Sequence, residues 1–272
     1  MTALVCKLPR VQLTVTVITY NEAANIAAAL DSVSWADEII VVDANSTDDT
    51  AAIARRLATR VEVRPWPGYG AQKNFAASLA THDWILSIDA DERVTPALAA
   101  EIREATAHTP AAPGFRIPRI AFYLGRWIRS TDWYPDYQLR LYDRRAGAWN
   151  ERRVHESIAL NGPPGQLRHE LQHFPYRDIS HHLATIDRYT SLAADEWLAQ
   201  GRQATYAEIL VNPQLAFARN FLLRAGFMDG AAGLIVSTLN SYYVFLKFAK
   251  LWERGRAGSP AGSGSGAARP PR

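Results

Sequence analysis

The feature that most constrains the fold is an alternation of short apolar, β-branched segments with helical segments over the first hundred residues. The predicted strands are residues 11–19, 38–42, 61–64 and 84–88. The predicted helices follow them at residues 23–30, after Ser46, at residues 71–80 and after Thr95-Pro96. Strands that alternate with helices form right-handed β–α–β units. The sequence therefore predicts an α/β fold with a mostly parallel sheet flanked by helices.

Three of these helices begin at a recognisable signal. Asn21 is predicted to cap the first helix, and Ser46, with Asp49 three residues later, predicts a capping box for the second. Thr95 is predicted to cap a helix in which Pro96 occupies the first position.

Polar residues follow three of the predicted strands, at residues 19–22, 43–46 and 89–91. Ligands of parallel sheets bind beyond the carboxyl ends of the strands. We therefore expect these three segments, although distant in sequence, to meet in one crevice.

The strongest local signal is Asp89-Ala90-Asp91, directly after a buried strand. Two carboxylates there suit Mg²⁺ or Mn²⁺ that substrate phosphates also hold. Asp43 could accept hydrogen bonds from a base or ribose, and the helix after it favours an anionic ligand. The alternative for the Asp89/Asp91 motif is a helix-capping turn that is rich in acidic residues. The alternative for the Asp43 segment is simple helix capping by Ser46.

Composition excludes several classes of protein. With 48% hydrophobic and 21% charged residues, the chain is globular rather than disordered or fibrous. Its net charge of +3 gives no argument for nucleic-acid binding. Cys6 stands alone, which excludes an internal disulfide and a cysteine metal site and fits a reducing compartment. Residues 1–10 lack the apolar core of a secretory signal.

The pattern along the chain predicts four segments. They are a ligand-binding half at residues 1–112, a mixed α+β half at 113–200 that receives the second substrate, a helical extension at 201–254, and a disordered Gly/Ser/Pro-rich tail at 255–272.

The three polar motifs together resemble the family 2 glycosyltransferases of GT-A (Rossmann-like) fold. The matching stretches are residues 17–22, 41–50 and 87–92. The resemblance implies a nucleotide-sugar donor, with uracil and ribose near Thr19, Tyr20, Glu22 and Asp43. It also implies a Mg²⁺ or Mn²⁺ ion on the Asp89/Asp91 motif that bridges the donor pyrophosphate.

The second half is similar to the bacterial lipopolysaccharide-core β-1,4-glucosyltransferase branch of that family. The matching segments are residues 125–129, 133–136, 140–142, 154–157 and 226–230. This resemblance implies UDP-glucose as donor, a heptose of the inner core as acceptor, and inversion at the anomeric carbon.

The same resemblance implies roles for single residues. The catalytic base of many members follows a basic, aromatic stretch, where this chain has His155 and Glu156; Glu156 is the predicted base, and His155 could share the role. Asp132 and Asp136 are weaker rivals. His173 corresponds to a late histidine that joins the metal shell in related enzymes.

Several other side chains are candidates for substrate contacts. Lys73 and Arg140 could contact phosphate, and a solvated surface charge is the alternative, which is the favoured prediction for Lys73. Trp127, Trp133 and Tyr134 could stack on an acceptor sugar, and packing in the core is the alternative for each.

A membrane contact is predicted near the C-terminus. Residues 230–246 are uncharged, but Ser237 and Asn240 argue against a lipid-exposed span, and basic and aromatic residues flank the segment. This pattern favours peripheral binding to an anionic leaflet, with a buried core helix as the alternative. Peripheral membrane binding and a lipid-linked glycan acceptor together predict a cytoplasmic enzyme at the inner membrane.

Three other functions share part of these features. A polyprenyl-phosphate glycosyltransferase would use the same donor site. A phosphate-ester hydrolase would use Asp89 as nucleophile, but the expected threonine is replaced by Glu92-Arg93. A non-catalytic sugar-binding module would need neither the carboxylate pair nor a base.

Overall fold

A computed structural model describes residues 11–107, 110–150 and 157–257. The chain divides into two compact units, Met1–Arg177 and Asp178–Arg272. This division groups the helix after residue 178 with the C-terminal helices, whereas the sequence-based segments grouped it with residues 113–177.

The N-terminal unit contains strands and helices in the predicted alternation, followed by a region of strands. Its strands are β1 (Leu13–Thr19), β2 (Glu38–Asp43), β3 (Arg60–Val63), β4 (Trp84–Asp89), β5 (Glu92–Val94), β6 (Gly114–Tyr123), β7 (Arg126–Ile128), β8 (Asp136–Asp143), β9 (Gly147–Trp149), β10 (Ile158–Leu160), β11 (Gly165–Gln166) and β12 (Leu171–His173). Its helices are α1 (Ile26–Ser32), α2 (Thr50–Leu57), α3 (Tyr69–Ser78), α4 (Pro96–Ala105) and a 3₁₀ turn at Thr131–Trp133.

The main sheet has the strand order β3-β2-β1-β4-β8-β6-β12-β5. The first four strands are parallel, and β8 joins β4 and β6 by antiparallel pairing. β12 runs parallel to β6 and antiparallel to β5. The prediction of an α/β fold with a mostly parallel sheet is confirmed.

Helices cover both faces of the parallel half. Leu13, Val15 and Val17 of β1 pack in one buried cluster, and Ile18 packs in a second cluster that includes Ala76 of α3. Residues from both faces of β1 therefore enter cores, and every residue of this strand is buried.

Two of the three predicted helix caps are wrong. α1 begins at Ile26, and Asn21 instead adopts a positive φ of 54°. α2 begins after Asp49, and the Ser46 side chain donates its hydrogen bond to Asp43. Short polar side chains bond equally well to neighbouring loops, and here that use prevails over capping. The Thr95 cap is confirmed, because its hydroxyl accepts from the Leu98 N–H at 3.1 Å.

The C-terminal unit is helical, as predicted. It contains α5 (Ile179–Ala199), α6 (Tyr206–Ala218) and α7 (Gly230–Ala257), with a π-helical turn at Arg219–Leu223 and a 3₁₀ turn at Gly226–Asp229. Residues 255–257 belong to α7, and the rest of the predicted disordered tail lies outside the described residues.

Ion pairs join two helices of this unit. Lys250 of α7 contacts Asp187 of α5 at 2.7 Å, and Arg254 contacts Asp195 at 2.5 Å. Within the described part of the chain, no single helix is long and apolar enough to cross a membrane, and one pair of helices, bent by 70° between Leu223 and Gly226, meets the same criteria together.

Candidate functional site

Hydrogen bonds join the loops that follow β1 and β2. The Asn21 N–H donates to the Ser46 hydroxyl at 2.8 Å, and the Thr47 N–H donates to the Asn21 side-chain oxygen at 2.8 Å. The Ala23 N–H donates to Asp48 at 3.2 Å. The two predicted ligand loops are therefore held in one fixed arrangement at the carboxyl edge of the sheet.

The strand register places the acidic residues along that edge. Thr19 pairs with Asp43, and Ile18 pairs with Asp89, so the two aspartates end the strands on either side of β1. Two inter-strand spacings separate them, about 10 Å. Asp43 is fully buried and accepts from the Ser46 N–H at 2.8 Å, whereas Tyr20 is exposed.

Asp89 lies between two cations. Its Oδ1 is 3.1 Å from the Lys73 ammonium, and its Oδ2 accepts from Arg140 at 2.6 Å. Lys73 is only 2% exposed and also lies 4.4 Å from the centre of the Trp149 ring. The prediction that Lys73 is a solvated surface charge is therefore wrong. α3 begins at the carboxyl edge, so Lys73, at the start of its second turn, lies near the end of β4.

Arg140 extends this contact into a buried ionic network. The same Nη2 atom donates to Glu92 at 2.6 Å, and Glu92 also accepts from Arg119 at 3.1 Å. Arg119 donates in turn to Asp136 at 2.6 Å. Glu92 is fully buried, and three strands, β5, β6 and β8, contribute Glu92, Arg119 and Arg140.

The charges of this network control its protonation. Burial alone would raise the pKa of Asp89, but the nearby Arg140 and Lys73 outweigh it and hold that pKa well below its usual range. Burial would lower the pKa of Arg140, but Asp89 and Glu92 raise it. Asp89 and Arg140 are therefore both ionised across the physiological pH range.

Asp91 faces a second group of side chains. Its Oδ2 is 3.3 Å from the Nε2 atom of His173, which ends β12. Burial raises the pKa of Glu22, the Asn25 side chain opposes this by a hydrogen bond, and the negative charge of Asp91 raises the pKa further. A cation at this place would relieve the repulsion between Glu22 and Asp91.

The donor set fits a divalent cation that a ligand also holds. No three acidic, histidine or cysteine side chains among the described residues are close enough to hold a metal alone. Asp91 and His173 would supply two ligands, and phosphate oxygens suit the remaining positions of Mg²⁺ or Mn²⁺. Asp89, the third predicted ligand, already contacts Arg140 and Lys73.

Aromatic side chains pack beside the 3₁₀ turn. Trp133 lies 5.6 Å from the Tyr123 ring and 5.8 Å from the Tyr176 ring. Tyr134 donates to Glu170 at 2.7 Å. Thr131, at the start of the turn, is buried with a positive φ of 64°, which is costly for a β-branched residue. This strained turn fixes Trp133 and Tyr134 in half-buried positions.

The structure describes only some of the residues that were predicted as the catalytic base. His155 and Glu156 lie outside the described residues. Both carboxylate oxygens of Asp136 accept hydrogen bonds, one from Arg119 and one from Gln138 at 2.6 Å. These bonds make Asp136 a weaker rival, since a base needs an oxygen that can reach the acceptor hydroxyl.

Sequence reasoning did not assign a role to Glu92, Arg119 or Gln72. The charges of Glu92 and Arg119 carried no periodic signal, because their partners lie on strands distant in sequence. Gln72 is fully buried on α3, and neither end of its amide has a hydrogen-bond partner among the described residues. A buried amide in that state destabilises the folded protein.

We expect Gln72→Met to raise the free energy of unfolding by about 1 kcal/mol, because it replaces an unsatisfied amide with an apolar group of similar shape. Asn74→Leu on the same helix is the matched control. Both ends of the Asn74 amide are bonded to Trp149, at 2.8 and 2.9 Å, so this change should destabilise. Urea unfolding measures both. Equal destabilisation by the two variants would contradict the assignment of Gln72 as unsatisfied.

The fold is that of the GT-A glycosyltransferases. The structure is similar to that of the mannosyltransferase PcManGT from Pyrobaculum calidifontis, solved in complex with GDP-Man and Mn²⁺, with a TM-score of 0.51. That likeness covers 91% of this chain and 89% of the other, at 21% sequence identity.

The family follows from the sequence. Residues 14–160 match the model of glycosyl transferase family 2, and the chain belongs to this family. It is 29% identical to the lipopolysaccharide core biosynthesis glycosyltransferase LpsC of Rhizobium meliloti, over 91% of this chain and 94% of that protein. It is 32% identical to an uncharacterized glycosyltransferase of Rickettsia felis, over 87% and 88% of the two chains.

Proposed function

We propose that this protein is an inverting hexosyltransferase that moves glucose from UDP-glucose to a heptose of the lipopolysaccharide inner core. The observation that carries the proposal is the row of acidic side chains along one sheet edge, with Asp43 and Asp89 on either side of β1 and Asp91 beside His173. The similarity to LpsC supports the acceptor class.

In this proposal the donor lies across the carboxyl edge. Asp43 is fully buried and both its carboxylate oxygens accept from Ser46, so it would hold the loop that lies beside the nucleoside, next to Thr19 and Tyr20. The buried hydroxyl of Thr19 has no hydrogen-bond partner among the described residues, which suits a donor contact. Arg140 would act by holding Asp89 in place, since its guanidinium is 3% exposed and already bonded to two carboxylates.

Asp91 and His173 would hold the divalent cation. Such a cation, when bound, neutralises the charge that develops on the departing nucleoside diphosphate. Glu22 contributes negative potential at the same place, through its proximity to Asp91.

The transfer itself would be one displacement. Glu156 takes the proton from the acceptor hydroxyl while that oxygen forms a bond to the anomeric carbon and the bond to the diphosphate breaks, which inverts the anomeric centre. Holding donor and acceptor together makes the reaction effectively intramolecular. A single base is sufficient, because no covalent sugar–enzyme intermediate forms. The half-buried Trp133 would pack against the acceptor sugar.

We further propose a lipid-linked acceptor and a location at the cytoplasmic face of the inner membrane. A glycan on a lipid carrier is presented at a membrane surface, so an enzyme that binds that surface meets its acceptor at high local concentration.

Release of UDP from a panel of nucleotide sugars tests this function. We expect the largest release with UDP-glucose, a divalent cation and a core heptose acceptor. A preference for polyprenyl phosphate as acceptor would instead support a polyprenyl-phosphate glycosyltransferase. No release with any donor would reject the proposal.

We expect Asp91→Asn to lower turnover by roughly a hundredfold or more and to raise the cation concentration needed for half-maximal rate, because one anionic ligand is lost. Asp31→Asn is the matched control, because Asp31 is an exposed acid at the end of α1 that points away from the carboxyl edge of the sheet. Titration of Mn²⁺ against UDP release measures both effects. An unchanged cation dependence in Asp91→Asn would place the cation elsewhere.

A further inference from the structure

The turn between α6 and α7 exposes large apolar side chains. Leu223 is 83% exposed, Met228 is 72% exposed and Leu222 is 60% exposed. Phe227 is 55% exposed on the same turn. We call these four residues the apolar tip. Single exposed leucines are ordinary, but four large apolar residues within seven positions indicate a surface that is covered by something else.

Close packing holds the backbone of the turn. A Cβ atom on Gly226 would lie 2.8 Å from both the Asn220 carbonyl oxygen and the Ser237 hydroxyl. A Cβ atom on Gly233 would lie 1.8 Å from the Gly226 carbonyl oxygen. Both positions therefore require glycine. The start of α7 lies directly against the turn, so the apolar tip cannot fold back onto it.

Polar side chains fasten α7 to the preceding helical segment. The Asn240 amide donates to the Asn220 side-chain oxygen at 3.1 Å, and the Ser241 hydroxyl donates to the Pro213 carbonyl at 2.8 Å. Asn240, whose polarity argues against a simple membrane span, therefore makes a contact inside the unit.

Val236 and Leu251 of α7 are fully buried. One face of residues 230–252 is therefore buried, while Leu234, Tyr242 and Phe245 of the same helix stay exposed. The two most exposed large apolar side chains of the unit, Leu223 and Met228, lie in the turn before it.

The exposed charges at the turn are both positive. Arg219 and Arg224 are exposed on either side of Leu222 and Leu223. The acidic residue of the same segment, Asp229, is only 4% exposed. An apolar surface with a cationic border matches the acyl layer and the anionic headgroups of a membrane leaflet.

We propose that the apolar tip inserts into an anionic membrane leaflet, with Arg219 and Arg224 at the level of the headgroups. This inference rests on the proposed membrane location and assigns the membrane contact to four residues that precede α7. A second copy of the chain fits the tip less well. In a symmetric dimer the same surface meets itself, which would bring the arginines of both copies together.

Vesicle flotation without donor or acceptor tests the insertion. We expect binding to vesicles of phosphatidylcholine with phosphatidylglycerol, and weaker binding to phosphatidylcholine alone. Leu222→Gln with Leu223→Gln should weaken the binding at least about tenfold, since each leucine loses its transfer into the acyl layer. Leu192→Gln with Leu198→Gln is the matched control, because both leucines are exposed on α5 of the same unit.

A fluorescent label on the apolar tip reports directly whether the tip enters the membrane. Met228→Cys in a Cys6→Ser background gives one labelling site, and an environment-sensitive dye there should shift its emission to the blue on addition of anionic vesicles. Arg219→Gln with Arg224→Gln should reduce the preference for anionic lipid and the dependence on salt. Unchanged thermal unfolding of the variants shows that the fold is retained.

Three results would overturn the proposal. They are no vesicle binding by the unsubstituted chain, equal binding by the tip variant and its control, and a dimer in sedimentation that the tip variant abolishes. Vesicle flotation needs no sugar transfer, so the proposed membrane contact holds even if the nucleotide-sugar assay fails. The assay with a soluble heptose acceptor needs no membrane, so the proposed transfer holds even if flotation fails.

Discussion

Replacing Arg140 with methionine should lower the free energy of unfolding by about 3–5 kcal/mol, the usual effect of removing one partner from a buried ionic contact. Arg140 is 3% exposed and donates to Asp89 and Glu92, each at 2.6 Å. Lys73 and Arg119 still contact these carboxylates in the variant, so the lower end of the range is expected. Urea unfolding at neutral pH measures the loss.

Arg129→Met is the matched control for this variant. Arg129 also pairs with a carboxylate, that of Glu170 at 2.7 Å, but its side chain is 56% exposed. An exposed ion pair contributes about 1 kcal/mol or less. Equal losses in the two variants would mean that burial of the network does not determine its contribution.

The pH dependence gives a second readout of the Arg140 variant. The folded protein holds the pKa of Asp89 below its unfolded value, so this contact contributes its full stability above a pH of about 4 and loses it as the pH falls through the folded value. The difference between Arg140→Met and the unsubstituted chain should therefore shrink in acid. A difference that grows in acid would contradict the assigned direction.

Replacing Glu156 with glutamine should lower turnover by roughly a hundred- to ten-thousandfold, the range for loss of a general base. Affinity for the nucleotide sugar should stay nearly unchanged, because the base acts on the acceptor. Single-turnover kinetics measure the first quantity, and calorimetry with donor and cation measures the second.

Glu151→Gln in the same segment is the control for charge, and His155→Gln tests whether the histidine shares the role. Asp136→Asn tests the rival that the structure places in contact with Arg119 and Gln138. If Glu156→Gln retains turnover and Asp136→Asn loses it, Asp136 is the base.

Local signals in the sequence were sufficient for the four parallel strands β1 to β4 and for the helices between them, but not for the individual strands that follow. β1 and β2 are rich in valine and isoleucine because both of their faces are buried, and Thr95-Pro96 starts a helix as its chemistry requires. The caps at Asn21 and Ser46 were predicted wrongly, since the two loops bond to each other across about 25 residues of sequence, and the Ser46 hydroxyl donates to Asp43 of its own loop.

The sequence by itself determined the α/β alternation, the family motifs and the position of the acidic residues at strand ends, because each depends on residues close together in the chain. Only the tertiary structure decided how those acids are used. It brings Lys73, Glu92, Arg119 and Arg140 from separate elements around Asp89 and leaves Asp91 facing His173. Burial also decided that Lys73 is an internal charge, since the exposure of a lysine depends on what packs over it and not on its neighbours in sequence.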